Sequence, residues 1–259
     1  MGRVRRRPRF HALLGVAVLA VLAVAALVTV VVVRSFAMVT VGPAQARERG
    51  KGPVAAGQVD CARAKCIALT FDGSPGEPTA RVLDLLAQHH AAGTFFLEGR
   101  DLHLHPDLVR RIAAEGHEIG DHTWNHPRLT EASDRQVREE LGRTADAIEE
   151  ITGRRPTLMR PPEGRTDDRV SGISRELGLA QVLWTVTAKD YATEDTALIT
   201  RRVLDGAARD GIVLLHPLHG GTVPALPAVL EALDGQGYTF VTVSQLLAPG
   251  TAEPGTIYR

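Results

Sequence analysis

The sequence predicts an α/β fold, a parallel sheet with helices outside it, preceded by one membrane-spanning helix. Two observations carry this. From Ile67 onward, short apolar runs rich in β-branched and aromatic residues alternate with amphipathic helical patterns; such alternation builds a parallel sheet covered by helices, either a barrel or a doubly wound sheet. The first forty residues differ: Arg3, Arg5, Arg6, Arg7 and Arg9 precede an uncharged apolar run from Ala12 to Val33. A chain of 259 residues holds one such domain plus an N-terminal addition and no second full domain.

In chain order, residues 1–11 read as a basic cytoplasmic N-terminus and 12–33 as a transmembrane anchor. That run exceeds the roughly 20 helical residues that cross a hydrocarbon core, and the arginines keep their end inside, which puts everything after Arg34 outside the cell. Ala44-Gln45-Ala46 offers the alternative of a cleaved signal and a secreted protein. Residues 34–64, mixing Gly, Pro, Ala and charge without period, read as an extracellular linker. Cys61 and Cys66 close it, either as a local disulfide or as two free thiols.

The domain proper is expected over 65–248, with strands at Ile67–Asp72, Thr94–Leu97, Glu118–Asp121, Thr157–Arg160, Val182–Val186, Ile212–His216 and Phe240–Val243. The clearest helix is 134–151: Val137, Leu141, Ile148 and Ile151 share a face, Ser133 and Gln136 form a capping box, and Gly153 stops it. Others follow Thr79, Pro106, Asp195 and Pro224. Residues 249–259 read as a C-terminal tail. Charge is balanced, 30 basic against 30 acidic, and aromatics are few, so there is no nucleic-acid footprint.

Polar residues gather at the C-terminal ends of the strands, where parallel α/β folds place their sites: Asp72, His122, Arg160, Asp190 and His216 all follow apolar runs. His122 and His126, four apart, reach one face of a helix or turn, a workable spacing for a zinc-type ion. Each feature alone has a bland reading: Asp72 as a cap, Arg160-Pro-Pro-Glu-Gly164 as a stiff turn, His216 as a satisfied strand end.

Taken together and in this order, Thr70-Phe71-Asp72, His122-Thr-Trp-Asn-His126, Arg160-Pro-Pro-Glu-Gly164, Asp190-Tyr191 and Leu214-Leu215-His216 resemble the motifs of the polysaccharide deacetylases, the NodB-homology domains of carbohydrate esterase family 4, over about residues 65–248. The resemblance implies a distorted, incomplete (β/α)7 barrel and a divalent ion, zinc or cobalt, held by His122 and His126. It implies Asp72 as general base, Arg160 as its partner, His216 as general acid and Asp190 as the carboxylate that charges it. The backbone near Glu163 corresponds to an oxyanion donor, and Leu214 and Tyr191 to the lining of the acetyl pocket.

The pattern breaks at motif 1. The family reads Thr-Phe-Asp-Asp-Gly-Pro and takes its third metal ligand from the second Asp, where this chain has Gly73. Motif 3 carries Glu163 in place of the usual aromatic, either as a compensating carboxylate or as a residue facing solvent or sugar. The expected activity is metal-dependent removal of N-acetyl groups from a cell-envelope polysaccharide, peptidoglycan first and a chitin-like oligomer next. The alternative is a weak or inactive domain that binds wall glycan. The intact Asp72, Arg160, Asp190 and His216 favour activity. A glycoside hydrolase fits less well, because two acids would not need a two-histidine motif.

Overall fold

A computed structural model of the chain describes residues 38–259. The expected anchor at 12–33 and the basic N-terminus lie outside the described residues; within them, no helix is long and apolar enough to cross a membrane. Ten strands form one wholly parallel sheet: β1 (Thr40–Val41), β2 (Lys65–Gly73), β3 (Gly93–Leu97), β4 (Glu118–Asp121), β5 (Leu158–Met159), β6 (Ala180–Val182), β7 (Val186–Thr187), β8 (Gly211–Leu215), β9 (Tyr238–Phe240) and β10 (Ile257–Tyr258). Their order is β1-β10-β6-β5-β4-β3-β2-β8-β7, with β9 also pairing β2. Between and after them run α1 (Pro43–Arg49), α2 (Glu77–Gln88), α3 (Pro106–Ala114), α4 (Asp134–Thr152), α5 (Asp168–Glu176), α6 (Thr196–Gly206), α7 (Thr222–Gly235) and α8 (Val243–Leu247).

The connection between β6 and β7 reveals the curl. Only Leu183, Trp184 and Thr185 separate these strands, yet β5, β4, β3, β2 and β8 lie between them in the sheet. A flat sheet cannot satisfy both facts, so the seven strands from β2 to β8 bend round into a barrel left open between β6 and β7, as expected. Alternation along β2 sorts the core accordingly. Ile67, Leu69 and Phe71 face the helical shell with Leu83 and Leu86 of α2 and Leu226 and Leu230 of α7. Cys66 and Ala68 face inward with Phe96, Leu158, Val182 and Ile212. A third cluster seats α4 and α5 on β5 through Val137, Leu141, Val170 and Met159.

Helix α4 matches its expected limits because its signals are local. The Ser133 hydroxyl accepts from the Gln136 N–H, and the Gln136 side chain accepts from the Ser133 N–H at 2.9 Å. Elsewhere the structure corrects the sequence reading. The expected strand Val182–Val186 is two strands, β6 and β7, on opposite sides of the barrel opening. The expected Phe240–Val243 stops at Phe240, because Thr242 caps α8 by accepting from the Gln245 N–H. Helix α5 was not expected; Asp167 caps it by accepting from the Val170 N–H at 2.7 Å.

The segments read as linker and tail each add a short strand to the sheet. β10 lies between β1 and β6, joining the two segments to the sheet edge. Val41, Ala46 and Tyr258 are buried with the inner core, and Arg47 of α1 donates to Asp210 at 2.6 Å and to the Leu246 carbonyl at 2.9 Å. Cys61 and Cys66 form a disulfide, both fully buried, at the start of β2.

Candidate active site

The C-terminal ends of β2, β3, β4, β5 and β8 open into a cavity of about 460 Å³ lined by Asp72, Gly73, Glu98, His122, His126, Glu163, Trp184, Tyr191, Leu214, His216, Leu218 and His219. Arg160 lies beneath it, fully buried. The site residues expected from the sequence line this cavity, except Arg160 beneath it and Asp190, which lies behind His216.

Asp72 ends the inward-facing row of β2 and is 4% exposed. Its Oδ1 accepts from Arg160 Nη1 at 2.7 Å. Arg160 also donates to Thr70 Oγ1 (2.8 Å), the Val182 carbonyl (2.9 Å) and the Leu183 carbonyl (3.2 Å), and its guanidinium stacks 4.2 Å from the Phe96 ring. Burial alone pulls the Arg160 pKa down, with Asp72 opposing, but a guanidinium stays protonated. The cation is thus held rigidly, and it holds Asp72 in turn.

His122 follows β4. Its Nδ1 donates to the Arg160 carbonyl at 2.8 Å, which leaves the Nε2 lone pair facing the cavity, 3.7 Å from Asp72 Oδ2. Burial pushes this imidazole down to about 4, so it is neutral at neutral pH. The His126 ring lies 4.9 Å away, centroid to centroid. The segment between them is a turn rather than a helix, with Thr123 and His126 in the left-handed region (φ 66° and 58°). Asp121 Oδ1 accepts from the Thr123 N–H at 2.7 Å, and Thr123 Oγ1 accepts from the His126 N–H at 3.0 Å; these bonds hold the strained conformation.

On the opposite side, His216 follows β8. Its Nδ1 meets Asp190 Oδ1 at 2.8 Å, and its backbone N–H donates to Asp190 Oδ2 at 2.6 Å. Thr222 adds a third bond to that carboxylate at 2.7 Å. Burial would lower the His216 pKa, but the Asp190 bond, the Asp72 charge and the Asp190 charge together raise it above the usual histidine value. Burial likewise opposes the Asp190 carboxylate, and the bond to His216 holds it below the usual range. Tyr191, 54% exposed, stands edge-on to His216 at 5.6 Å, while Leu214 is 3% exposed in the cavity wall.

The two departures from the motif pattern look different in three dimensions. Gly73 adopts φ +128°, and an added Cβ would come no closer than 3.7 Å to Leu218. Space for a side chain exists, but the backbone conformation disfavours one. Glu163 sits at the cavity rim, 44% exposed, with Arg128 Nε 3.1 Å from both its oxygens and Arg165 Nε at 2.9 Å. The Arg128 hydrogen bond holds its carboxyl below the usual range. Glu163 is committed to two guanidiniums, which favours the rim reading over a compensating ligand.

Among the described residues, no three His, Cys, Asp or Glu side chains stand together as a ready-made metal cage. The donor chemistry nevertheless fits a divalent ion: a neutral imidazole with its far nitrogen bonded to a carbonyl is the usual state of a ligating histidine, and a second imidazole faces it. Glu98 and Leu218 line the cavity as well, and neither belongs to the motifs above. Glu98 follows the apolar run Thr94–Leu97 and so met the strand-end criterion that picked out Asp72.

A family model for polysaccharide deacetylases matches residues 60–182. The chain is 40% identical over 183 residues to peptidoglycan-N-acetylglucosamine deacetylase PgdA of Listeria monocytogenes, covering 70% of this chain and 39% of that protein, so it spans about two fifths of that relative's length. It is also 40% identical over 191 residues to a peptidoglycan-N-acetylglucosamine deacetylase of Bacillus cereus, covering 71% of this chain and 88% of the relative. Among solved structures, T48 deacetylase with substrate superposes with a TM-score of 0.74 at 37% identity, covering 78% of this chain and all of that one. BA3943 of Bacillus anthracis, a pseudoenzyme of carbohydrate esterase family 4, gives 0.68 at 28% identity, covering 76% and 70%. With its half-barrel, its buried Asp72–Arg160 pair and its Asp190–His216 pair, the chain belongs to the polysaccharide deacetylase family of hydrolases.

Proposed function

We propose that this protein removes N-acetyl groups from peptidoglycan, on N-acetylglucosamine or N-acetylmuramic residues, outside the cell and held to the membrane by Ala12–Val33. The observation that carries the reading is the pair of proton-handling units facing one cavity. Asp72, fixed by Arg160, accepts the proton of the attacking water. His216, kept cationic by Asp190, gives a proton to the departing sugar amine. The acetyl methyl enters between Leu214 and Tyr191. The family is generally metal-dependent; His122 and His126 would hold a divalent ion, zinc or cobalt, which when bound supplies a Lewis acid and lowers the pKa of water. The named activities of the relatives and the basic, apolar N-terminus support substrate and location.

Gly73 and the pseudoenzyme relative favour one other reading, a domain that binds wall glycan without cleaving acetyl. Acetate release by the full chain separates them. With peptidoglycan or an N-acetylglucosamine oligomer, stripping by a chelator should stop release and zinc or cobalt should restore it. Binding to peptidoglycan with no acetate under any metal would establish the glycan-binding reading.

A further inference from the structure

We propose that Glu98 supplies the third protein ligand to the divalent ion, in place of the carboxylate that residue 73 lacks. The inference deepens the metal-dependent reading above and rests on it.

Strand register places Glu98 between Asp72 and the two histidines. β3 lies between β2 and β4. Phe96 pairs with Asp72 on one side and Gly120 on the other, and Leu97 pairs with Gly73 and Asp121. One step further, Glu98 is level with His122, and its N–H points to the Gly73 carbonyl at 3.4 Å. Neighbouring strands lie about 4.8 Å apart, and successive side chains alternate between faces. Leu97 packs into the helical shell, whereas Phe96 lies under the Arg160 guanidinium inside the barrel. Glu98 therefore faces inward, like Phe96 and Asp72, and lines the cavity with His122 and His126.

Its carboxylate is also underused. Glu98 is 9% exposed, and no hydrogen bond reaches its buried Oε2. Arg100 Nη2 stands 3.0 Å away without hydrogen-bond alignment, and that guanidinium is 51% exposed. A buried carboxylate oxygen without a hydrogen bond is costly, and a half-exposed arginine is a weak partner that an ion displaces. Glutamate has one methylene more than aspartate, which suits a ligand arriving from the adjacent strand. Ligation would require the side chain to turn from Arg100 toward the imidazoles, since no three-ligand cage stands together among the described residues.

The test is zinc affinity of the full chain, measured by competition with a chromogenic chelator, alongside the visible spectrum of the cobalt-loaded protein. Wild type should bind one zinc. Glu98→Gln should weaken binding at least tenfold and change the cobalt spectrum, with the fold checked by circular dichroism. Arg100→Met, which removes the competing cation at an exposed site, should tighten binding only where Glu98 is present; equal tightening in the Glu98→Gln background would mark a bulk charge effect and overturn the assignment. Stoichiometric zinc in wild type with unchanged affinity in both variants overturns the assignment of Glu98 and leaves the metal-dependent reading intact. Wild type that takes up no stoichiometric zinc or cobalt overturns that reading, and the role of Glu98 with it.

Discussion

Replacing Asp72 by alanine should destabilise the protein as well as inactivate it. Arg160 has no exposed side-chain surface and Asp72 only 4%. Its other hydrogen-bond acceptors, Thr70 Oγ1 and the Val182 and Leu183 carbonyls, are all neutral. Asp72→Ala thus leaves a cation in the barrel with no anion bonded to it. Breaking a buried pair from one side costs about 3–5 kcal/mol. At about 2–4 °C per kcal/mol for a domain of this size, the melting temperature should fall by roughly 6–20 °C. Asp72→Asn keeps an acceptor for Nη1 and should cost about 1–2 kcal/mol. Adding Arg160→Met to Asp72→Ala removes the stranded charge, so the double variant should be more stable than the summed single losses by about 1–3 kcal/mol. Urea denaturation with the disulfide intact measures wild type, Asp72→Ala, Asp72→Asn, Arg160→Met and the double variant. Additive losses, or an Asp72→Ala within about 0.5 kcal/mol of wild type, would refute the claim that this pair is a buried electrostatic unit.

Three further variants test the geometry. Because Asp190 raises the His216 pKa, the imidazolium survives above its ordinary value near 6.5 and acid catalysis fades only as pH rises through the raised one; Asp190→Asn should move the alkaline limb of the pH–rate profile to lower pH and cut turnover by about 10²-fold or more. That raised value also contributes stability that is full below about pH 6.5 and lost as pH climbs through it, so the wild-type advantage over Asp190→Asn in urea should shrink in alkaline buffer. Glu163→Ala removes a rim carboxylate already neutralised by Arg128 and Arg165; zinc content should be unchanged and turnover should stay within about threefold, and a lost metal would return Glu163 to the ligand set. Gly120→Ala would set a Cβ 2.5 Å from the Phe96 ring, displacing the ring beneath Arg160; an overpacking loss of about 1–3 kcal/mol is expected, and a fully stable variant would show that Phe96 has room to move.

The site was more legible than the periphery of the fold, for a physical reason. Parallel strands carry polar residues to one end of the sheet, so Asp72, His122, Arg160, Asp190 and His216 announced themselves by following apolar runs. Helix α4 was legible because capping is local. What sequence reading missed depends on distant partners. Thr40–Val41 and Ile257–Tyr258 are two-residue strands that exist because β10 pairs both β1 and β6, and neither carries a pattern of its own. The break at Leu183–Thr185 follows from barrel curvature, which periodicity does not encode. Helix α5 was hidden by Ser171, Gly172 and Ser174, poor helix formers that are placed by burial of Val170 and Ile173. Glu163 was read as a possible compensating ligand because its two arginine partners lie 35 and two positions away. Glu98 also follows an apolar run, but its neighbour in space, Gly73, is 25 positions away, so no local pattern links the two.

The most direct measurement compares acetate release from peptidoglycan by the full-length wild type, Asp72→Asn and His216→Ala at matched zinc, with binding to the same peptidoglycan scored in parallel. Wild type should release acetate, and both variants should bind equally while releasing it about 10²–10⁴-fold more slowly, the range for loss of a general acid or base. Equal release by all three proteins, or binding without release by the zinc-loaded wild type, would contradict a deacetylase run by these two proton-handling pairs.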